Sequence, residues 1–422
     1  MNVKPVAPAT IDANDRPDAP GRIGPGGRRG GQAERAMDQV RRPSRMDART
    51  RPAPRLIYVV TEDWYFLSHR LPMARAARAA GFEVHVATNV GADADAIERE
   101  GFTLHPVRFV RGRLSPFGSI GAILALRKLR RAVAPAIVHH VALQASVLGV
   151  VAAFWRGGAN VYAITGLGHA FITPSGIARR GVIRLLLRFG LNRRRAVGLV
   201  QNPDDRDMLA ELGVKPDHIV IIPGSGIDAD RLRPIPEPDG PVTIAYVGRM
   251  LDDKGVRNLI AAFRIVRAAN GEARLLLAGS PDPANPASIP QNELAAWGRE
   301  PGVTWLGQVA DIATVWQRAH IAVLPSRREG LPKSLLEAAA CGRPLIATDV
   351  PGCREIAIAE KTGLLVPVDD PAALAAAMER LVRSSQQRIR FGVAARRLVD
   401  ERFAADLIGK ATVDLYQRLL QS

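Results

Sequence analysis

Short runs of consecutive apolar residues alternate with segments of helical periodicity over most of this chain, a pattern that predicts an α/β fold built on parallel strands. The run Arg55-Leu56-Ile57-Tyr58-Val59-Val60 is almost continuously apolar, as a strand covered by helices on both faces requires. Residues 71–80 follow as a helix and Phe82-Glu83-Val84-His85-Val86-Ala87 as a second strand, completing one strand-helix-strand unit. Later, Ile321-Ala322-Val323-Leu324-Pro325-Ser326 reads as a short strand closed by Pro and Ser, and residues 335–341 are an unbroken set of good helix formers. That helix can begin near Pro332 or Lys333, because the N–H that proline lacks has no partner in a first turn.

A chain of 422 residues with 47% apolar content can bury two cores. Residues 55–222 form one predicted doubly wound unit and residues 223–400 a second. Between them, Pro234, Pro236, Pro238 and Pro241 exclude both a helix and a ladder, so residues 230–241 read as a linker. Residues 1–54 are rich in Pro, Gly, Arg and Asp, show no apolar periodicity, and are expected to be disordered. No apolar signal core is seen there, and Met37 and Met46 offer alternative starts. Residues 137–155 are the most apolar stretch, but His139, His140 and Gln144 interrupt it, so it reads as a buried strand and helix rather than a membrane span. Cys341 and Cys353 are expected to be buried thiols in a reducing cytosol.

Charge changes the picture. From residue 101 to residue 203 there is no Asp or Glu, while Arg and Lys number fifteen, so most of the +17 net charge falls on the first unit. Arg180, Arg184 and Arg188 recur at i, i+4, i+8 beside Val182, Ile183, Leu186, Leu187 and Phe189, which makes a basic amphipathic helix. Residues 120–133 have the same character, with Arg127, Lys128, Arg130 and Arg131 at the C-terminal end, where the helix dipole favours cations. A solvated basic face, a nucleic-acid surface and a membrane surface compete. Nucleic-acid binding lacks interleaved aromatics (5% of residues), zinc spacing and a helix-turn-helix pattern. Attachment to the inner face of an anionic membrane is the preferred reading, since each Lys or Arg near such a surface contributes about 1 kcal/mol and the apolar face adds to it.

The candidate chemistry lies in the second unit. Glu329 and Glu337 stand eight residues apart, one on a loop and one about a turn inside the helix that follows. Such acids are common dipole partners at a helix start. They can equally accept hydrogen bonds from sugar hydroxyls and a ribose diol, while the free first-turn amides receive a phosphate without a metal. Upstream, a strand ends at Gly248, and Arg249 and Lys254 follow five residues apart, a bidentate fork and a point charge suited to a diphosphate. Asp252-Asp253, adjacent to these cations, reads as a turn rather than as a metal-diphosphate site.

Two stretches carry a resemblance. Residues 324–366, with Glu329-Gly330-Leu331-Pro332, Leu335-Leu336-Glu337-Ala338, Cys341-Gly342-Arg343-Pro344 and Thr362-Gly363-Leu364-Leu365-Val366, closely resemble the donor half of family 4 glycosyltransferases, and Tyr246–Gly255 resembles the second donor motif of that family. The resemblance implies the GT-B architecture, two Rossmann-like domains across a cleft, with residues 401–422 as a helix crossing back to the first. It implies a retaining, metal-independent transferase, with Arg249 and Lys254 on the leaving nucleoside diphosphate and Glu329 on the sugar. Gly248, Gly330, Leu331, Lys333, Ser334 and Glu337 would complete the donor site, with base contacts from Gln308 and Val309. UDP is favoured over GDP only by the resemblance.

Val138-His139-His140, Ile164–Phe171, Gly224–Asp228 and Trp64–Pro72 resemble the branch that acts on polyprenyl-diphosphate-linked saccharides. This implies a lipid-linked acceptor, with His69, Arg70, Gly166, Gly168 and Gly226 on the acceptor side and His140 either a satisfied strand-end residue or a contact to the donor sugar. Two departures stand out: Gln144 replaces the usual Lys, and a Gly-Gly loop after the first strand is missing. A GDP-mannose-type transferase and a GT-B-like sugar-nucleotide epimerase are the alternatives.

Overall fold

The computed structural model describes residues 52–110, 116–153, 158–164, 177–283 and 285–421. The expected disorder of residues 1–54 therefore concerns a segment almost wholly outside the described residues, as do Gly166 and Gly168. Two parallel sheets organise the chain. The first contains β1 (Arg55–Glu62), β2 (Glu83–Asn89), β3 (Thr103–Pro106), β4 (Ile137–Val141), β5 (Ala159–Ala163), β6 (Ala196–Val200) and β7 (Ile219–Ile221), in the order β3-β2-β1-β4-β5-β6-β7. The second contains β8 (Thr243–Val247), β9 (Arg274–Ala278), β10 (Val303–Gly307), β11 (Ile321–Leu324), β12 (Leu345–Thr348) and β13 (Gly363–Val366), in the order β10-β9-β8-β11-β12-β13.

The near-continuous apolar runs are the cause of this layering. Every residue of β4, β5, β6, β11 and β12 is buried, which a strand achieves only with helices on both faces of its sheet. Strand order reverses between β1 and β4 in the first sheet and between β8 and β11 in the second. At such a switch point the connecting segments diverge and leave a crevice at the carboxyl ends of the strands. The protein therefore has two Rossmann-like sheets, each with one crevice of this kind.

Helices α1 (Asp63–His69) and α2 (Leu71–Ala79) follow β1, and α3 (Pro116–Val133) precedes β4. The apolar stretch at 137–155 resolves into β4 and α4 (Ala142–Ala152). After α5 (Ile177–Leu191) and β6, α6 (Pro203–Glu211) begins at an Asn202 cap. The proline-rich linker is extended and tied to the second unit: buried Arg343 donates to Pro236 O at 2.9 Å, and Arg388 pairs with Glu237 at 2.7 Å.

The last helix, α7 (Ala405–Gln421), leaves the second core at Phe403 and buries Ile408, Leu415 and Tyr416 in the first. Tyr416 Oη lies 2.8 Å from Tyr58 Oη and 2.6 Å from His139 Nδ1, a buried polar chain that joins the helix to the first sheet and leaves only His139 Nε2 without a hydrogen-bond partner. Its approach is set by Gly226, whose φ of 76° is left-handed and whose side-chain position would lie 2.6 Å from Ala405 Cα. Gly226, expected on the acceptor side, has this packing role at the junction.

Candidate active site

Loops from β8 and β11, the two strands that flank the switch point of the second sheet, bring together the residues expected to hold a donor. Tyr246, buried on β8, donates its hydroxyl to Arg249 O at 2.9 Å and fixes the turn through Gly248. Arg249 stays half-exposed and pairs with Asp282 at 2.9 Å, a partner the sequence did not indicate. Lys254 lies on a single turn of 3-10 helix, Asp252–Lys254, closed by Gly255 at φ 71°. A side chain at Gly255 would lie 2.0 Å from Pro325 O, so the β8 loop can press against the β11 loop only with glycine there.

That contact brings Lys254 Nζ to 2.6 Å from Glu329 Oε1, and Ser326 Oγ donates to the same oxygen at 2.6 Å. Both ion-pair side chains are mostly buried, so the bond is charge-assisted and only weakly screened. Asp252 has a different role: its carboxyl accepts from Arg327 at 2.9 Å and from Arg257 at 3.0 Å, and Arg327 continues to Asp369 at 2.9 Å. Arg327 first, and Arg257 after burial, hold the Asp252 carboxyl below its ordinary range. Among the described residues no group of three His, Cys, Asp or Glu side chains gathers as a cation site.

Helix α8 (Lys333–Ala340) starts at Pro332, which has extended backbone and makes no side-chain cap bond, so the first-turn amides face the loop. Lys333 and Glu337 form an i,i+4 pair at 3.5 Å. Burial raises the Glu337 carboxyl above its ordinary range, with Lys333 opposing the shift. Ser334 is half-buried in this first turn, and Leu331 packs against Gly224 of the segment joining the sheets. Gln308 is exposed and Val309 half-buried just past β10, at the same carboxyl edge of the sheet. The Gly330 carbonyl accepts from Asn202 Nδ2 at 2.8 Å, a bond from the first unit that no motif announced.

Of the residues expected on the acceptor side, His69 faces this site. It ends α1, stacks on Tyr65 with ring centroids 4.2 Å apart, and lies 2.6 Å from Ser68 Oγ. Burial lowers its pKa to about 3, and the charges of Lys333, Arg70 and Arg249 push the same way. Lys333 and Arg249 belong to the second unit, so His69 senses the donor loops across the crevice as a neutral ring.

Two other residues depart from expectation. Arg70 is 1% exposed; its Nη1 reaches only Met73 Sδ at 3.4 Å and its Nε has no hydrogen-bond partner, so it lies beneath the acceptor-side surface rather than on it. His140 is also 1% exposed, stacked on Tyr162 at 5.0 Å and covered by α4 so closely that a side chain at Gly149 would sit 2.3 Å from its Nδ1. Its position one residue before the end of β4 turns the ring into the sheet–helix layer, not into the crevice, so it makes no sugar contact in this arrangement. Gln144, at the position of the usual Lys, donates to Val110 O at 2.8 Å.

The basic helices also differ in detail from the sequence reading. On α5, Ile183 and Leu187 are buried, whereas Val182, Leu185 and Phe189 are 56%, 67% and 52% exposed and form an i, i+3, i+7 stripe. Arg184 and Arg188 are exposed beside that stripe, and Arg180 is half-buried with partners within the chain. On α3, Ile120 and Leu124 are 55% and 58% exposed. Among the described residues no helix is long and apolar enough to cross a membrane.

Comparison with known proteins agrees with this geometry. Residues 55–202 match the family described as glycosyl transferase 4-like, and residues 241–384 match glycosyl transferases group 1, one on each sheet. The chain is 29% identical over 178 residues to the capsular polysaccharide biosynthesis glycosyltransferase CapM of Staphylococcus aureus, a match covering 42% of this chain and 46% of that protein. It is 24% identical over 382 residues to the N,N'-diacetylbacillosaminyl-diphospho-undecaprenol alpha-1,3-N-acetylgalactosaminyltransferase of Campylobacter jejuni, covering 85% of this chain and 99% of that one. Among solved structures, Anabaena HepE in complex with UDP-glucose superposes with a TM-score of 0.68 at 16% identity, covering 85% of this chain and 98% of that chain. The two matched halves, the switch-point loops and the shared architecture together show that this chain is a glycosyltransferase of the GT-B fold and belongs to family 4.

Proposed function

We propose that the protein moves a sugar from a UDP-sugar to a saccharide carried on a polyprenyl diphosphate, with retention of configuration and without a metal, at an anionic membrane surface. One observation carries the donor half of this reading: Arg249, Lys254, Lys333 and the open first turn of α8 converge with Glu329 and Glu337 on a single crevice. These groups supply the positive charge that a departing diphosphate needs, so the protein itself can take the role a metal has elsewhere. Glu329, oriented by Lys254 and Ser326, accepts from sugar hydroxyls, and Glu337 from the ribose diol. The UDP choice is supported by the UDP-glucose complex of HepE, and the lipid-linked acceptor by the Campylobacter relative.

In the proposed step the bond from the anomeric carbon to the phosphate oxygen breaks, and a bond to the acceptor oxygen forms on the same face. The acceptor proton passes to a departing phosphate oxygen, and the diphosphate leaves on Arg249, Lys254 and the α8 amides. His69, neutral and across the crevice, orients the acceptor hydroxyl by hydrogen bonding and carries no net charge through the step. Closure of the crevice excludes the water that would otherwise hydrolyse the donor.

The membrane part rests on α3 and α5, where cations without acidic neighbours in sequence flank exposed apolar side chains. A panel of UDP- and GDP-sugars incubated with membrane extracts containing lipid-linked acceptors tests the whole reading. A lipid-linked product that keeps the donor's anomeric configuration and still forms in EDTA is expected. Inversion, loss of activity in EDTA, or transfer only from GDP-sugars would each overturn the corresponding part.

A further inference from the structure

We propose that Asn202 is a positioning residue that couples the approach of the first unit to the shape of the donor loop; this rests on the reading of the Glu329-Gly330 loop as the donor site. Asn202 is 0% exposed directly after β6, and both ends of its amide are used. Oδ1 accepts the N–H of Asp205 at 2.8 Å and caps α6. Nδ2 donates to Gly330 O at 2.8 Å and to Asp205 Oδ2 at 3.1 Å. Capping needs only an acceptor, and Ser, Thr and Asp serve as caps as well. Asn alone among them adds an N–H, which reaches the opposite loop at Gly330 O as well as Asp205 Oδ2, so the cap by itself does not account for the choice of residue.

Lys254 and Ser326 hold the Glu329 side chain, and Gly352, on the short helix α9 (Pro351–Arg354, numbered after α8), donates its N–H to Glu329 O at 3.1 Å. A side chain at Gly352 would fall 2.3 Å from Gly330 O, so this helix already presses on that carbonyl. All three of those holds come from the second unit; Asn202 comes from the first. Its bond is therefore made only when the two units approach, and it then fixes the peptide next to Glu329. The Asp204–Arg354 pair at 3.2 Å also spans the units, but both side chains are 44% exposed and such surface pairs have little energetic weight.

The test uses the full chain with Asn202→Ser and Asn202→Thr, which retain a cap but cannot reach Gly330, and Asn202→Ala, which loses both. The two capped variants are expected to melt close to the wild type, to raise the donor KM roughly five- to ten-fold, and to leave the acceptor KM unchanged. Asn202→Ala should show the same kinetic loss and melt lower, while Asp204→Ala transfers within about two-fold of wild type. A wild-type donor KM in the capped variants overturns the proposal. So does a fall in kcat with both KM values unchanged, the mark of partly unfolded enzyme, or melting of the capped variants below Asn202→Ala. Glu329→Gln is measured alongside: unaltered transfer there refutes the donor-loop reading itself, independently of Asn202.

Discussion

The second unit of this glycosyltransferase and residues 101–203 of its first surround their cations differently. In the second unit arginines are matched locally, as Arg257 with Glu293 at 2.6 Å, Arg264 with Glu300 at 2.6 Å, Arg380 with Glu360 at 2.6 Å and Arg388 with Glu237 at 2.7 Å. Residues 101–203 of the first unit contain no acid at all, and Arg184 on α5 finds a backbone carbonyl, that of Glu211, at 3.4 Å. Fold stability does not need that positive surface, since the helices bearing it are anchored by Ile183, Leu187 and Leu126 in apolar cores. On the proposed reading the cations of residues 101–203, which have no acid within their own segment, serve attachment, and the donor chemistry belongs to the other half.

Four measurements bear on that difference. The largest effect is expected at the donor loops: Arg249→Ala and Lys254→Ala should each lower transfer about 100- to 1000-fold, read as kcat/KM, with binding to anionic vesicles unchanged. Near-normal turnover in both would remove the diphosphate site from this crevice. Next, Arg184→Gln with Arg188→Gln should weaken binding to anionic vesicles roughly 30-fold, at about 1 kcal/mol per charge, measured by flotation and diminishing in high salt. Equal flotation of variant and wild type would leave the basic face as solvated surface.

The third outcome concerns pH. His69 and His140 have pKa values lowered to about 3 by burial, and His139 lies well below its ordinary value for the same reason, whereas unfolded histidine titrates near 6.5. Between those values the unfolded chain binds more protons than the folded one. Stability is therefore complete above pH 6.5 and falls as the pH drops toward 3. Urea midpoints that do not change between pH 7.5 and pH 5 would contradict this. The smallest effect is expected for His140→Phe, which keeps the stack on Tyr162 and deletes two buried ring nitrogens. Transfer within about three-fold of wild type and unchanged or higher stability is the outcome expected of a core residue, and a hundred-fold loss would restore His140 to the site.

The fold was largely legible because its signals are local. Unbroken apolar runs such as Ile321–Leu324 became fully buried strands, and the helix expected near Pro332 begins at Lys333. The donor crevice was legible for a related reason: Arg249, Lys254 and Glu329 each follow a strand end within a few residues. What stayed hidden depends on contacts between distant segments. Asp282 beside Arg249 and Asn202 beside Gly330 lie 33 and 128 residues away along the chain. The direction of a side chain near a strand end was equally hidden: His140 turns under α4 and Arg70 turns inward beside Met73, though both are polar residues at the edge of the crevice. On α5 the periodicity announced an amphipathic helix, but only the packing showed that Val182, Leu185 and Phe189 are the apolar residues left facing out.

The contrast between the halves is tested most directly by one transfer assay in two formats. The acceptor saccharide found in the membrane-extract screen is presented on a polyprenyl diphosphate in anionic vesicles, and on a short water-soluble chain, to wild type and to the Arg184→Gln, Leu185→Gln, Arg188→Gln variant. The variant is expected to lose about ten-fold or more in the vesicle format and to match wild type with the soluble acceptor. Equal activity in vesicles, or an equal loss in both formats, would contradict it.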